Sequence, residues 1–204
     1  MDSKFGVQSG LLRAAREIMP RRALTFREAL AFAETQANKV LLSLNIDDPP
    51  LPDRLIEELP QVEVVRGSCN ESGRTAWSNG RWMIRLDSND SLTRQRFTLM
   101  HELKHVFDAP LAEDLYVKLT RAQIERVCDH FAGCLLMPKR MVKKLWRRGI
   151  RDPEDLADYF QVSRAAMGVR LQVLRFSLCH LGGVRPLVGD PSNLAGSGIS
   201  CQVP

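Results

Sequence analysis

The chain has 204 residues, of which 44% are hydrophobic and 26% charged, a composition typical of one soluble globular domain with a buried core. No apolar run approaches the roughly 18 residues that a membrane helix needs, and the first 20 residues lack the apolar segment of a secretory signal. The formal net charge of +5 permits an acidic partner but does not require one.

The cysteines indicate free thiols. Their number is odd and no CxxC pair occurs, which excludes a zinc ribbon and argues against a disulfide framework. We therefore expect a reducing, cytoplasmic location and no membrane partner. The five are Cys69, Cys128, Cys134, Cys179 and Cys201.

The first quarter of the chain predicts helices. Apolar periodicity favours helices over residues 11–19 and 25–44, and Thr25 with Glu28 matches the capping-box pattern of a helix start. The run Asp-Asp-Pro-Pro at 47–50 ends this segment. Residues 53–59 predict one more short helix.

A β-hairpin is predicted over residues 75–86. Its turn is Asn79-Gly80, the dipeptide favoured in tight type I′ turns. In the second arm, Trp82, Ile84 and Leu86 alternate with other residues, as in a strand with one buried face. Together with a predicted strand at 62–65, the hairpin indicates a small antiparallel sheet.

The rest of the chain again predicts helices, over residues 92–107, 120–136, 139–148 and, as two short helices, 152–176. Thr120 and Gln123 form the capping box of the second of these. Residues 177–204 are rich in Gly, Ser and Pro and predict a flexible tail. The order of helices, sheet and helices is typical of an α+β fold.

The strongest chemical signal is His101-Glu102-Leu103-Lys104-His105, an HExxH pattern on a predicted helix. Residues four apart lie on one helix face, so both imidazoles can bind one metal ion. Glu102 lies beside that face, where it can take a proton from water. The apolar residues of the helix fall on the opposite side, so the histidines point away from the core. The alternative is two surface histidines that flank a glutamate by chance.

A zinc site needs a third protein ligand and an open position. A layout with a further His six residues after the second fails, because that position is Leu111. On the helix over 120–136, Glu125 shares a face with the small residues Cys128 and Ala132, which let two helices approach closely. We therefore expect Glu125 to be the third ligand. Asp129, one turn further on, either accepts the spare N–H of a ligand histidine or is a plain surface carboxylate.

Two motifs resemble those of the ImmA/IrrE metallo-endopeptidases, and a looser likeness extends over residues 62–176. The first motif is Arg94-x-Arg96-Phe97-Thr98-x-x-His101-Glu102-x-x-His105. The second is Glu125-x-x-Cys128-Asp129-x-Phe131-Ala132-x-x-Leu135-Leu136-Met137-Pro138.

The resemblance implies a zincin-like metallopeptidase fold, in a bacterial or phage-encoded protein, with one zinc ion per chain and the glutamate at 125 as its third ligand. It also implies the substrate class: helix-turn-helix repressors, cut to release transcription of a mobile element or a stress regulon. The sequence departs from the family at Lys104, where Gly is common, and at Asp129, where Asn is common. We expect Lys104 to project beside the site and to alter substrate preference.

The expected reaction is peptide-bond hydrolysis, in which zinc polarises the carbonyl and Glu102 takes a proton from water. Tyr116 and His130 are candidates for stabilising the oxyanion, although His130 equally fits a packed or surface histidine. Glu113 and Asp114 are rival third ligands in a predicted loop. The strand at 81–86 is expected to run beside the cleft and to pair with the substrate backbone.

Four segments are predicted: an N-terminal helical segment (1–60), a zincin-like catalytic core (61–150), a helix-turn-helix-like segment (151–176) and the flexible tail (177–204). Basic residues form one face of the helix at 139–148, which is either a plain solvated surface or a contact surface for phosphate or an acidic partner. We expect it to dock the substrate. These residues are Lys139, Arg140, Lys143, Lys144, Arg147 and Arg148.

Residues 156–174 resemble a helix-turn-helix, with Ser163 as the cap of the second helix. Its long polar residues are Arg164, Arg170 and Gln172. Direct DNA binding is the less favoured expectation, because such helix pairs also serve as packing units and the net charge is modest. Our main hypothesis is a zinc endopeptidase. The alternative is a DNA- or protein-binding regulator with a structural or vestigial zinc site, which would have no need of Glu102 as a base.

Overall fold

A computed structural model describes residues 3–176 and shows an α+β fold, as predicted, that is mostly helical. The first helices are α1 (Ser3–Glu17), α2 (Phe26–Ser43) and α3 (Arg54–Glu57). The predicted capping box starts α2, since Thr25 N donates to Glu28 Oε2 at 2.8 Å. The predicted tail, with Cys179 and Cys201, lies outside the described residues.

Three strands form a mixed sheet, so the expectation of an antiparallel sheet is wrong for one strand pair. The strands are β1 (Val62–Gly67), β2 (Gly73–Ser78) and β3 (Arg81–Asp87), in the order β1-β3-β2. β2 pairs antiparallel with β3 through the predicted hairpin turn, whereas β1 pairs parallel with β3. The five residues 68–72 reach up to about 17 Å, enough to cross two strand spacings of about 4.8 Å and leave room for β3 between β1 and β2.

β3 is therefore the central strand, with Ile84 and Leu86 fully buried. Its backbone is hydrogen-bonded on both sides, so the expectation that β3 pairs with a substrate is wrong. Within the described residues, no strand pairs with the outer edge of β2.

The helices after the sheet follow the predicted order. They are α4 (Leu92–Asp108), a 3₁₀ turn (Ala109–Leu111), α5 (Ala112–Tyr116), α6 (Arg121–Leu136), α7 (Lys139–Arg147), α8 (Pro153–Phe160) and α9 (Arg164–Val173). Thr120 and Gln123 form the capping box of α6. Among the described helices, none is long and apolar enough to cross a membrane.

α6 lies at the centre of the helical layer, between α2 and α4. Phe107 of α4 and Phe131 of α6 pack edge to face with ring centroids 5.9 Å apart, and both are fully buried. Because α6 is covered on two sides, its face with Glu125 and Cys128 meets α4, and its face with His130 and Cys134 meets α2. This arrangement brings two groups of polar side chains under the surface.

The C-terminal helices attach to this core through charged residues. On α7, Arg140 donates to Asp47 at 2.7 Å and Lys144 to Asp48 at 2.5 Å, so part of the basic face is paired with the loop after α2. On α9, Arg170 is only 4% exposed and donates to the carbonyl oxygen of Met137 at 2.9 Å. Of the three long polar residues of the helix-turn-helix-like segment, Arg170 is therefore turned away from solvent.

Candidate metal centre

α4 carries the HExxH residues on a helix that begins at the N-cap Ser91, whose hydroxyl accepts from Arg94 N at 3.3 Å. The predicted apolar stripe is fully buried, and the two imidazoles lie on the other side of the helix with centroids 5.2 Å apart. That side faces α6. His101 and His105 are consequently enclosed, with side chains 10% and 12% exposed.

Glu125 of α6 lies between the two histidines. Its Oε2 is 3.2 Å from His101 Nε2 and 3.8 Å from His105 Nε2. Ligand atoms of a tetrahedral zinc site lie about 3.3 Å apart when the bonds are about 2.0–2.1 Å long. The three side chains therefore converge at close to the spacing that a small divalent ion requires.

Two neighbours on α6 hold the far nitrogens of the imidazoles. His101 Nδ1 is 2.8 Å from Asp129 Oδ1, the contact expected of a residue that orients a ligand histidine. His105 Nδ1 is 3.9 Å from Cys128 Sγ, at the long end of a hydrogen bond to sulfur. Both contacts turn the Nε2 atoms toward Glu125. Asp129 is a partner of His101, in the orientation expected from the sequence.

Cys128 is itself a possible metal ligand, because ligand atoms of His101, His105 and Cys128 all lie within 4.8 Å of one another. Its Sγ is on the Nδ1 side of His105, however, whereas Glu125 is on the Nε2 side. Burial raises the pKa of the Cys128 thiol well above its usual value, and its sulfur is in contact with only one of the two imidazoles. The geometry and charge of Glu125 suit a cation better than those of Cys128.

The electrostatics of the centre favour positive charge. Burial alone would lower the pKa of His101, but its hydrogen bonds with Asp129 and Glu125 raise that pKa to about 9. Burial alone would raise the pKa of Glu125, but the hydrogen bond with His101 and the interaction with the nearby imidazole of His105 lower it to about 2. A carboxylate that stays ionised beside two imidazoles is the donor set that zinc binds.

Two buried atoms at this centre lack a hydrogen-bond partner among the described residues, namely His105 Nε2 and Glu102 Oε1. An unpartnered buried polar atom costs about 1–3 kcal/mol, and native proteins seldom tolerate one without a reason. A metal ion at Nε2 would remove the first of these costs. The residues present thus fit a metal ion.

The sheet positions Glu102, which is fully buried. Thr75 of β2 donates from Oγ1 to Glu102 Oε2 at 2.6 Å. Gly73, two residues earlier, lets the strand approach α4: a Cβ there would lie 2.2 Å from Thr98 Cγ2 and 3.1 Å from Glu102 Oε1. Sequence reasoning missed both residues. The signal available was their alternation, which places Gly73 and Thr75 on one strand face.

The remaining candidates lie elsewhere. Tyr116 is 5% exposed and its hydroxyl donates to Asp108, so its one proton is already engaged. His130 is in contact with Cys134 and not with the HExxH pair. Glu113 and Asp114 are exposed on α5, and the described contacts join neither to the histidines.

Lys104 does not project beside the site, and that expectation is wrong. The side chain is fully buried, 2.6 Å from Asp108 Oδ2 and 2.8 Å from Gln36 Oε1. The ring of Phe32, on α2, covers its ammonium group at 4.7 Å from the centroid. A lysine so enclosed has no access to a substrate.

Two of three comparisons with known proteins give a match. The family described as "IrrE N-terminal-like domain", a peptidase family, matches residues 62–172, which include every residue of the centre. A solved structure of a Mycobacterium tuberculosis transcriptional regulator has a similar fold, with a TM-score of 0.57 and 15% identity. That match covers 75% of this chain and 53% of the other, so the chain spans about half the length of the regulator. The comparison with curated protein sequences gives no match.

Proposed function

The chain belongs to the ImmA/IrrE metallopeptidase family, and we propose that it is a zinc-dependent endopeptidase with a zincin-like core. The observation that carries the proposal is the pair of buried unpartnered atoms, His105 Nε2 and Glu102 Oε1, on one turn of α4. His105 Nε2 can bind a cation, and Glu102 Oε1 is free to accept a proton. A centre with only a structural role would need the first but not the second.

We assign His101, His105 and Glu125 as the residues that hold one zinc ion, with Glu125 preferred over Cys128 because it faces both Nε2 atoms. Zinc bound there supplies a Lewis acid that polarises the scissile carbonyl and makes water easier to deprotonate. Asp129 keeps His101 in the tautomer that presents Nε2.

Glu102 acts as the general base. It accepts the proton of the attacking water at Oε1 and later returns a proton to the leaving amine. Thr75 holds the other oxygen, Oε2, at 2.6 Å, which fixes the carboxylate and leaves Oε1 as the free acceptor. The same strand presents an outer edge that no described strand occupies, and an extended substrate can add to such an edge by backbone hydrogen bonds.

As substrate we propose a cytoplasmic helix-turn-helix repressor, whose cleavage would release transcription of a mobile element or a stress regulon. The support is the family together with an exposed basic surface. On α7, Lys139, Lys143 and Arg147 are exposed and form no ion pair with the described residues, whereas Arg140 and Lys144 are paired with the loop after α2. The unpaired residues suit an acidic patch on a folded partner and increase its association rate.

A second candidate is a regulator that binds DNA or protein through α8 and α9. It is favoured by the similar fold of a protein titled a transcriptional regulator. The exposed part of α9 gives little support to DNA reading, because Val169 and Val173 are more than half exposed there and Arg170 is turned inward. Arg164 and Gln172 remain as its exposed long polar residues. DNA-binding helices instead present basic and polar side chains.

Replacement of Glu102 by Gln tests the peptidase. We expect Glu102→Gln to retain zinc and the fold but to lose about 10² to 10⁴ in cleavage rate, since the general base is removed. The assay is co-expression of the full chain with a repressor encoded beside its gene, followed by gel analysis and zinc determination on the purified protein. Equal cleavage by Glu102→Gln would refute the role of this residue, and zinc-free wild-type protein would refute the metal centre.

A further inference from the structure

A second group of metal-binding side chains lies on the other side of α6. Cys134 Sγ is 3.4 Å from His130 Nε2, and these atoms together with a carboxylate oxygen of Glu34, on α2, all lie within 4.8 Å of one another. The peptidase chemistry uses none of the three. We propose that Glu34, His130 and Cys134 bind a second divalent transition-metal ion of the Zn²⁺ class, independently of the candidate metal centre.

The two groups cannot share an ion. At about 100° and 1.5 Å per residue, Cys134 lies roughly 180° around α6 from Glu125 and about 13 Å along its axis. His130 and Cys134 are four residues apart, so they lie on one face, and that face meets α2. One face of α6 thus serves α4 and the opposite face serves α2.

Arg170 provides independent support for a negatively charged sulfur at this position. Its guanidinium is buried, since the residue is 4% exposed, and its Nη1 donates to Cys134 Sγ at 3.3 Å. Within residues 10–176, Arg170 forms no ion pair with a carboxylate, and its Nη2 lacks any hydrogen-bond partner. Buried charges are normally paired, and a Cys134 thiolate would add a negative charge in direct contact with Arg170, beside the carboxylate of Glu34 in the same cluster.

A metal ion explains how that thiolate forms. Burial raises the pKa of Cys134 to about 11, so the thiol does not ionise by itself at neutral pH. Burial also lowers the pKa of His130, with a further contribution from Arg170, so its imidazole is neutral and able to bind a metal. Metal binding displaces the thiol proton to solvent. The guanidinium N–H then donates to a metal-bound thiolate, a common outer contact of such sites.

The donor set defines the class of ion. One thiolate, one imidazole and one carboxylate suit Zn²⁺ or Co²⁺, whereas Ca²⁺ and Mg²⁺ prefer oxygen ligands alone. The observed 3.4 Å between sulfur and nitrogen is close to the spacing of tetrahedral ligand atoms. Three protein ligands leave one position for water. Such an ion would join α2 to α6.

Cobalt substitution of the full chain tests the proposal, because only a thiolate ligand gives an intense near-ultraviolet charge-transfer band. We expect two Co²⁺ per chain and such a band. Cys134→Ser should remove the charge-transfer band and lower the bound Co²⁺ from two ions per chain to one. Cys128→Ser, Cys69→Ser and the double variant Cys179→Ser/Cys201→Ser should retain the band. A band that survives in Cys134→Ser, or disappears in Cys128→Ser, would overturn the proposal.

Two further variants keep the proposal testable if Cys134→Ser fails to fold. They also distinguish a failure of this second metal site from a failure of the proposed peptidase centre. Glu34→Gln, at a half-buried position, should weaken one Co²⁺ equivalent at least about tenfold. Glu125→Gln should weaken the other equivalent and leave the thiolate band intact. If both variants weaken the same single equivalent, the chain has one site and the proposal fails, whatever the outcome for Glu102.

Discussion

Two groups of buried ionisable side chains lie side by side on α4. They differ in whether every polar side-chain atom has a hydrogen-bond partner. In the first, His101, Glu102 and His105 converge with Glu125, yet two buried atoms are without a hydrogen-bond partner. In the second, Lys104 and Asp108 form an ion pair at 2.6 Å, and every side-chain oxygen and nitrogen of the pair is matched within the described residues.

The difference distinguishes a group of side chains that stabilises the fold from a group on the same helix that can bind a ligand or react. A buried charge pair whose hydrogen bonds are complete can only hold elements together, because no capacity remains for a ligand. A buried cluster with unused donors and acceptors is costly by about 1–3 kcal/mol per atom, and it is retained where a ligand or a reaction uses the atoms. Substitutions in both groups, and at the surfaces around them, test that distinction.

Lys104→Met should have the largest effect on stability. It leaves the carboxylate of Asp108 buried without its cation, which costs about 3–5 kcal/mol. Chemical denaturation of the variant and the wild type measures the change. The matched control is Lys143→Met on the exposed face of α7, which should change stability by less than about 0.5 kcal/mol.

The double variant Lys104→Met/Asp108→Asn completes this test. Without the carboxylate there is no uncompensated charge, so much of the lost stability should return. If the single and double variants are equally unstable, packing of the lysine stem and not the ion pair is responsible. If Lys104→Met is as stable as wild type, the distinction between the two clusters fails.

Asp129→Ala should weaken zinc binding by about 10- to 100-fold, because His101 loses the group that orients it. Asp129→Asn is the matched control, since its amide oxygen can still accept the Nδ1 hydrogen. Competition with a chromophoric chelator measures both affinities. Equal affinity of Asp129→Ala and wild type would show that Asp129 is an ordinary surface carboxylate.

Gly73→Ala should displace β2 from α4, since the added Cβ would lie 2.2 Å from Thr98 Cγ2. The expected cost is about 1–3 kcal/mol of stability, together with slower cleavage as Thr75 moves away from Glu102. Gly67→Ala, at the end of β1, has open space around the new Cβ and is the control. Unfolding curves and peptide cleavage rates that are the same for both variants would contradict the close approach.

Charge reversal at Lys139, Lys143 and Arg147 should have the smallest effect. These residues are exposed on α7, so their replacement by Glu should slow cleavage of a folded repressor by up to roughly tenfold through slower association. Cleavage of a short peptide across the same bond should not change. An equal loss for both substrates would show that the surface does not dock the repressor.

The sequence predicted the local parts of the centre well. Helical periodicity placed His101 and His105 on one face of α4, and Glu125 and Asp129 on one face of α6. The expectation that these faces meet came from the small residues Cys128 and Ala132 and from the family resemblance. Helix boundaries marked by capping boxes, such as that at Thr25, were also accurate. Each of these features depends on residues within a few positions of one another.

The parts that the sequence did not predict depend on contacts between distant segments. Thr75 reaches Glu102 because β2 packs against α4, with the close approach at Gly73, and that packing joins segments distant in sequence. Lys104 and Arg170 are charged, and charged residues are usually exposed. Their burial depends on partners that lie 68 and 33 residues away, in Gln36 and Met137.

The guanidinium of Arg170 has a consequence for how this protein can change over evolution. It donates to the carbonyl oxygen of Met137, directly after the last turn of α6, and so satisfies the end of the helix that carries Glu125. A chain shortened before α9 would lose that donor and leave the carbonyl oxygen of Met137 without this hydrogen bond. α9 is therefore tied to the end of the helix that carries Glu125. A lineage could vary the exposed side chains of α9 far more easily than it could lose the helix itself.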